Sequence, residues 1–182
     1  TGQPISSPET VEIFSDDTND TSAGTGTRTL RFFGLKTNTS SVYESEDVTL
    51  NGTTAVTTTT TWYRINRAFV LTAGSSGENE GTITIRHSTT TTNIFCIINP
   101  TFNQTNIAVY TIPANVTGYL DTLFLQIGRT TGAAGSAYIT LRVRDTLTAD
   151  SVFRQLDLFD IQTSGPIDET FKYPLQVVAG SD

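Results

Sequence analysis

Apolar and polar residues alternate with period two along most of this chain. The clearest case is Ala137 to Arg144: Ala137, Ile139, Leu141 and Val143 face one way, and Tyr138, Thr140, Arg142 and Arg144 the other. That pattern predicts a strand with one covered face and one face left to solvent or a partner. Ile83 and Ile85 alternate in the same way with Thr82, Thr84 and Arg86. Trp62 to Leu71 reads as a long central strand, with Tyr63, Ile65, Phe69 and Leu71 on one face and Trp62, Arg64, Asn66 and Ala68 on the other. Arg67 falls on the apolar face, so it is expected to lie near an edge or to pair with a carboxylate, or to contact a partner subunit. Ile94 to Ile98 is wholly apolar and predicts a buried strand, ended by Pro100.

Further strands are expected over Val11–Phe14, Thr29–Gly34, Val42–Leu50, Ile107–Ile112 and Gly118–Ile127, the last with Tyr119, Leu123, Leu125 and Ile127 inward. Phe171, Tyr173, Leu175 and Val177 share a face of the final strand, where Pro174 imposes an edge or a bulge. The spacing of Arg154, Asp157 and Asp160 leaves a helical turn open within Val152–Ile161. Asn51-Gly52 predicts a two-residue hairpin turn, and Ala73–Gly81 and Gly128–Ser136 read as loops. About ten strands with turn signals at sandwich spacing predict an all-β fold, a two-sheet antiparallel β-sandwich of jelly-roll type. Thr1–Thr10, with Pro4 and Pro8, reads as an extended N-terminal arm, and residues 11–182 as a single β-sandwich domain.

Composition narrows the function. The net charge of −7 argues against nucleic-acid or anionic-membrane partners, which need basic patches. A single cysteine, Cys96, leaves no internal disulfide framework and fits folding in a reducing cytoplasm. No apolar run has membrane-spanning length, no signal peptide opens the chain, and methionine is absent, so the initiator is expected to be removed or the sequence to begin inside a longer product. The 36 threonines suit exposed strand faces, but the runs Thr57–Thr61 and Thr89–Thr92 lack the repeat period of a regular threonine ladder.

Catalytic signals are weak. His87, the sole histidine, is expected at a surface or rim, and Cys96 among Ile94, Phe95, Ile97 and Ile98 as a buried, inert thiol. Histidine and cysteine are too few for a zinc site. Asp16, Thr18 and Asp20 have the alternate spacing that begins a calcium loop, yet Thr21 stands where the glycine belongs and no glutamate closes the loop. Glu44, Glu46 and Asp47 read as a solvated acidic face. Glu78 and Glu80 share a flexible loop rather than flanking a groove, so glycoside hydrolysis is disfavoured. Five Asn-x-Ser/Thr sequons, at Asn19, Asn38, Asn51, Asn103 and Asn115, are little above chance in so threonine-rich a chain. The residues therefore imply no enzyme, no cofactor and no metal.

One resemblance is carried by turns and strand edges. Val48-Thr-Leu-Asn-Gly-Thr-Thr-Ala-Val, Tyr63-Arg-Ile-Asn-Arg-Ala-Phe-Val, Ala73-Gly-Ser-Ser-Gly and Gly81-Thr-Ile-Thr-Ile resemble a family of tailed-bacteriophage virion proteins, many from aquatic phages. Asn19-Asp-Thr-Ser-Ala-Gly-Thr-Gly-Thr-Arg-Thr is similar to its upstream segment, and Tyr110-Thr-Ile-Pro-Ala-Asn and Leu141-Arg-Val-Arg to its downstream ones. The chain departs from that pattern in Thr57–Thr61 and in about its last 30 residues. The resemblance implies a capsid decoration (cement) protein on the virion exterior. Its partners would be the major capsid protein and further copies of itself, as a dimer or trimer on a shell symmetry axis. Expected contacts are the arm with Pro4 and Pro8, the loop with Asp16, Asp17 and Asp20, Arg67, and the outward Arg142 and Arg144. The alternative is a tail-fibre, baseplate or head-fibre module binding a host glycan, which calls for a shallow groove with exposed aromatics.

Overall fold

The computed structural model describes residues 7–125, 136–144, 153–162 and 167–179. Among them the chain is all-β, with no helix and eleven strands: β1 Val11–Ser15, β2 Thr27–Leu35, β3 Glu44–Thr49, β4 Val56–Thr57, β5 Arg64–Ala73, β6 Ile83–His87, β7 Ile94–Ile98, β8 Gly118–Leu125, β9 Ser136–Val143, β10 Arg154–Gln162 and β11 Ile167–Val177. Every ladder is antiparallel. The chain divides into two compact units, Thr1–Ala114 and Asn115–Asp182, where the sequence suggests one domain from residue 11 onward.

The first unit holds a four-stranded sheet, β4-β1-β6-β7, and a three-stranded sheet, β3-β2-β5. Both supply one core: Val11, Ile13, Ile83, Ile85, Phe95, Cys96 and Ile98 from the first; Leu30, Phe32, Val48, Ile65 and Ala68 from the second; and Leu50 and Trp62 from the connections. This is the two-sheet arrangement expected from the alternation. A jelly roll takes eight strands, and these two sheets hold seven. Trp62 has no exposed surface and meets Phe32 edge-on at 4.9 Å. Its indole N–H donates to Glu46 Oε2 at 3.1 Å, so the one polar atom of the ring is satisfied.

Several sequence expectations change here, each for a local reason. Trp62–Leu71 is not a central strand: β5 lies outermost in its ladder, with β2 in the middle. Its far edge is covered by irregular chain, where Val70 N donates to Asn103 O and Thr105 N to Ala68 O. The β2–β5 register shifts at Phe33/Gly34, which puts Ile65 and Ala68 together in the core and turns Arg67 outward beside Phe33. Gly34 permits the shift, since a Cβ there would sit 1.8 Å from Arg64 O. Asn51-Gly52 makes a tight turn closed by Thr54 N to Asn51 O, with Gly52 at φ 59°, but β3 and β4 do not pair with each other. The turn instead docks on the 15–20 loop, where Gly52 O accepts from Ser15 N and Gly52 N donates to Asp20 O. Residues 107–112 form no ladder, although Thr111 and Ile112 are buried.

The second unit holds two two-stranded ladders, β8–β11 and β9–β10. In β9, Ala137, Ile139, Leu141 and Val143 are half-buried while Tyr138 and Arg142 are exposed, as the alternation predicts. Residues 154–162 are a strand rather than a helical turn. The β8–β11 register is irregular between Thr170 and Leu175, which span Pro174, so the proline marks a bulge. Tyr119 is exposed, against the inward orientation expected, because the burial pattern of β8 changes parity at Asp121–Thr122. Ile127 and the 128–135 loop lie outside the described residues, as does Pro4.

Candidate functional site

The acidic loop folds inward on itself. Asp20 has no exposed surface. Its Oδ1 accepts from Thr27 N at 2.6 Å and Glu80 N at 3.1 Å, and its Oδ2 from Ser15 Oγ at 2.6 Å and Gly81 N at 2.9 Å. Four donors on one buried carboxylate fasten the 15–27 loop to the 80–81 turn. Glycine walls this site: a Cβ on Gly26 would stand 2.2 Å from Asp20 Oδ1, and one on Gly81 would stand 2.4 Å from Ser15 Oγ. Asp20 is therefore an internal clasp with no surface to offer a partner. Asp16 is exposed, with Oδ1 accepting from Thr82 N; Asp17 is half-buried, with Oδ1 accepting from Asn19 N. Among the described residues no cluster of three or more His, Cys, Asp or Glu is placed to hold a metal ion.

Other acidic residues are engaged too, where the sequence reads a solvated face. Glu44 pairs with Lys36 at 2.7 Å, and Asp47 takes Arg31 in two parallel hydrogen bonds of 2.6 and 2.7 Å. Burial pushes the Glu46 carboxyl up. The Thr59 amide, the Thr60 and Thr59 hydroxyls and the Trp62 indole outweigh it and leave the group below the ordinary glutamate range. Glu80 accepts from Thr25 and Asn19, so it too is a loop fastener.

His87 is buried rather than at a rim, because the strict alternation of β6 carries it to the same face as Ile83 and Ile85. Its ring stacks on Phe95 at 4.5 Å, and neither ring nitrogen has a hydrogen bond. Burial holds its pKa below the usual value, partly offset by Glu9, whose Oε2 lies 3.6 Å from Nδ1. Burial likewise pushes the Cys96 thiol far above its usual value, which suppresses thiolate chemistry.

Residues 9 and 10 are not part of an arm. Glu9 and Trp62 exchange two backbone hydrogen bonds, and Thr10 is tied to Ser88, so residues 9–10 already belong to the body; Pro8 is half-buried. Arg142 is exposed on β9 as expected. Arg144 is not: it is 5% exposed, with its guanidinium over Phe153 at 4.7 Å. The strand stops at Val143, so alternation no longer governs the next side chain.

Two surfaces remain that sequence patterning missed. One is a groove of about 510 Å³ beside β5, lined among others by Phe33, Tyr43, Asn66, Arg67, Gln104 and Tyr110. The signal was present but misread, since residues 107–112 resemble a strand and instead form its irregular wall. The other is the β9–β10 ribbon of the second unit, where Tyr138, Leu156 and Leu158 are exposed, Tyr138 by 71%; on the separate β8–β11 ladder Tyr119 and Phe124 are exposed too. On the β9–β10 ribbon the face bearing Tyr138, Thr140 and Arg142 also bears Asp160, Leu158 and Gln155. No family model, curated protein or solved structure matches this chain.

Proposed function

We propose that this chain is a non-enzymatic virion structural protein that binds the outside of a phage capsid and stabilises the expanded shell. Its partners are the major capsid protein and further copies of itself. The observation that supports this reading best is the set of large exposed side chains in residues 115–179. Tyr138 and Leu158 share a face of the β9–β10 ribbon with Arg142 and Asp160, and Leu156 on β10 and Tyr119 and Phe124 on β8 are exposed as well. Aromatic and arginine residues set among polar neighbours are what protein interfaces enrich, and exposed apolar surface of this kind marks a docking face. Many copies then add contacts in parallel, so modest single-site affinity suffices.

The test is binding of purified protein to expanded and unexpanded shells, followed by cosedimentation and by pressure resistance of the loaded shells. Preferential binding to expanded shells with increased resistance supports the reading. Virions stripped of the protein that keep shell strength but fail to adsorb to host cells would overturn it. They would favour the second reading, a host-glycan module of a fibre or baseplate. One observation favours that second reading: the groove beside β5 presents Tyr110 with 60% of its surface exposed.

A further inference from the structure

We propose that the groove beside β5 binds a carboxylate-bearing sugar ring, with the ring stacked on Tyr110 and its carboxylate held by Arg67. A volume of about 510 Å³ is that of a small-ligand site. Tyr110 is a fixed platform rather than a loose side chain: its ring leans on Tyr43 at 5.0 Å and 39°. Tyr43 is itself anchored, since its hydroxyl donates to Thr111 O and accepts from Thr111 N at 3.2 Å.

Arg67 and Gln104 leave donors open in this groove. Arg67 Nη2 donates to Gln104 Oε1 at 3.1 Å. That bond fixes both side chains and uses one Nη2 hydrogen, leaving the other Nη2 hydrogen, Arg67 Nε and Nη1, and Gln104 Nε2 unengaged, so one two-donor edge of the guanidinium stays open. The Arg67 guanidinium also lies over Phe69 at 5.2 Å, and Phe69 stacks on Phe33 at 6.0 Å, so the planar fork is held from below. Two neighbouring acceptors are taken: Thr105 Oγ1 accepts from Ala68 N, and Val109 O accepts from Asn66 Nδ2. A rim of donors with a fixed arginine fork selects an anionic acceptor, and a carboxylate fits it in two parallel bonds.

The charge pattern agrees. The chain carries 18 acidic residues, yet none lines this groove. Asp47, on the same sheet face, is already held by Arg31. Asn66 is 9% exposed and its Oδ1 has no partner, and a sugar hydroxyl is a donor of the kind it lacks. An aromatic platform, an arginine fork and an unsatisfied acceptor together describe a hydroxylated ring bearing a carboxylate, the chemistry shared by uronic and sialic acid sugars.

This inference concerns what the groove holds, not where the protein sits, so sugar binding and shell binding fail independently. The test is an NMR titration of the full chain with sialyllactose and with trigalacturonate, each beside its methyl ester. At least one acid should shift the amides of Arg67, Gln104 and Tyr110 saturably, with its ester at least about tenfold weaker. Arg67→Gln should weaken the acid about tenfold or more, and Tyr110→Ala should remove binding of acid and ester alike. Both side chains are exposed, so the variants should melt as the parent does, which separates lost binding from lost folding. Three results overturn the proposal: no shift with either acid, equal affinity for acid and ester, or a tetraglutamate peptide binding at these amides when neither sugar does.

Discussion

Residues 7–114 and 115–179 are built from the same strand grammar and put it to opposite use. The first stretch contributes every member of the buried core cluster, from Val11 to Ile98. The second contributes one buried apolar side chain among its described residues, Phe159, and eight large exposed ones. Individual polar groups show the contrast, although Arg144 in the second stretch is buried and Asp16 and Arg67 in the first are exposed. Asp20 in the first stretch is buried under four donors, while Arg142, Asp157 and Asp160 in the second are exposed. A two-stranded ladder has too little buried surface to be stable alone, so strands such as β9 and β10 keep apolar faces that a partner can cover. Alternation therefore tells that a strand has two faces, but not which face a partner will take.

That contrast can be broken at its strongest point first. Asp20→Ala should cost roughly 3–5 kcal/mol of unfolding free energy, because it strands several buried donors at about 1–3 kcal/mol each before relaxation. Urea denaturation measures it, and Asp20→Asn should lie between. A loss under about 1 kcal/mol would mean the loop reorganises freely and the clasp is not structural. Trp62→Ala should cost about 3–5 kcal/mol, the usual range for an aromatic removed from a packed core.

Acid should act on the first stretch through His87 before it acts through carboxylates. The folded pKa of His87 lies below its unfolded value, so the unfolded chain binds the extra proton first. Stability contributed by the neutral ring is complete above the unfolded value near pH 6.5 and is lost as pH falls from there toward the folded value. Glu46 is also depressed, so its contribution is present above the unfolded carboxyl value and disappears only at lower pH. Thermal melts from pH 7.5 to 5 should fall for the parent and flatten for His87→Phe; parallel curves would remove His87 as the cause. The smallest expected effect is on the second stretch: Tyr138→Ser and Leu158→Ser should each change stability by less than about 0.5 kcal/mol, as exposed sites do.

Much of the fold was legible. Val11 and Ile13, Ile83 and Ile85, and Ile139 and Leu141 sit where period two puts them, and Pro174 marks a real bulge. What escaped depends on distant partners. The β5 face reverses because Gly34, on another strand, shifts the register. His87 was the exception, since the alternation of Ile83, Ile85 and His87 already put it on the buried face, where its ring stacks on Phe95. Asp20 looks like a loop acid until Ser15, Thr27, Glu80 and Gly81 converge on it; Gly26 and Gly81, each too close for a Cβ, are the only local hint. The groove beside β5 was misread because residues 107–112, which supply part of its wall, carry a strand-like sequence without a ladder.

The division of roles is tested most directly by one measurement: cosedimentation of the full chain with expanded shells, comparing the parent with the double variant Tyr138→Ser/Leu158→Ser and with Arg67→Gln. If residues 115–179 present the docking face, the double variant melts like the parent yet loses shell binding by about tenfold or more, and Arg67→Gln binds shells as the parent does. Undiminished binding by the double variant would contradict the account.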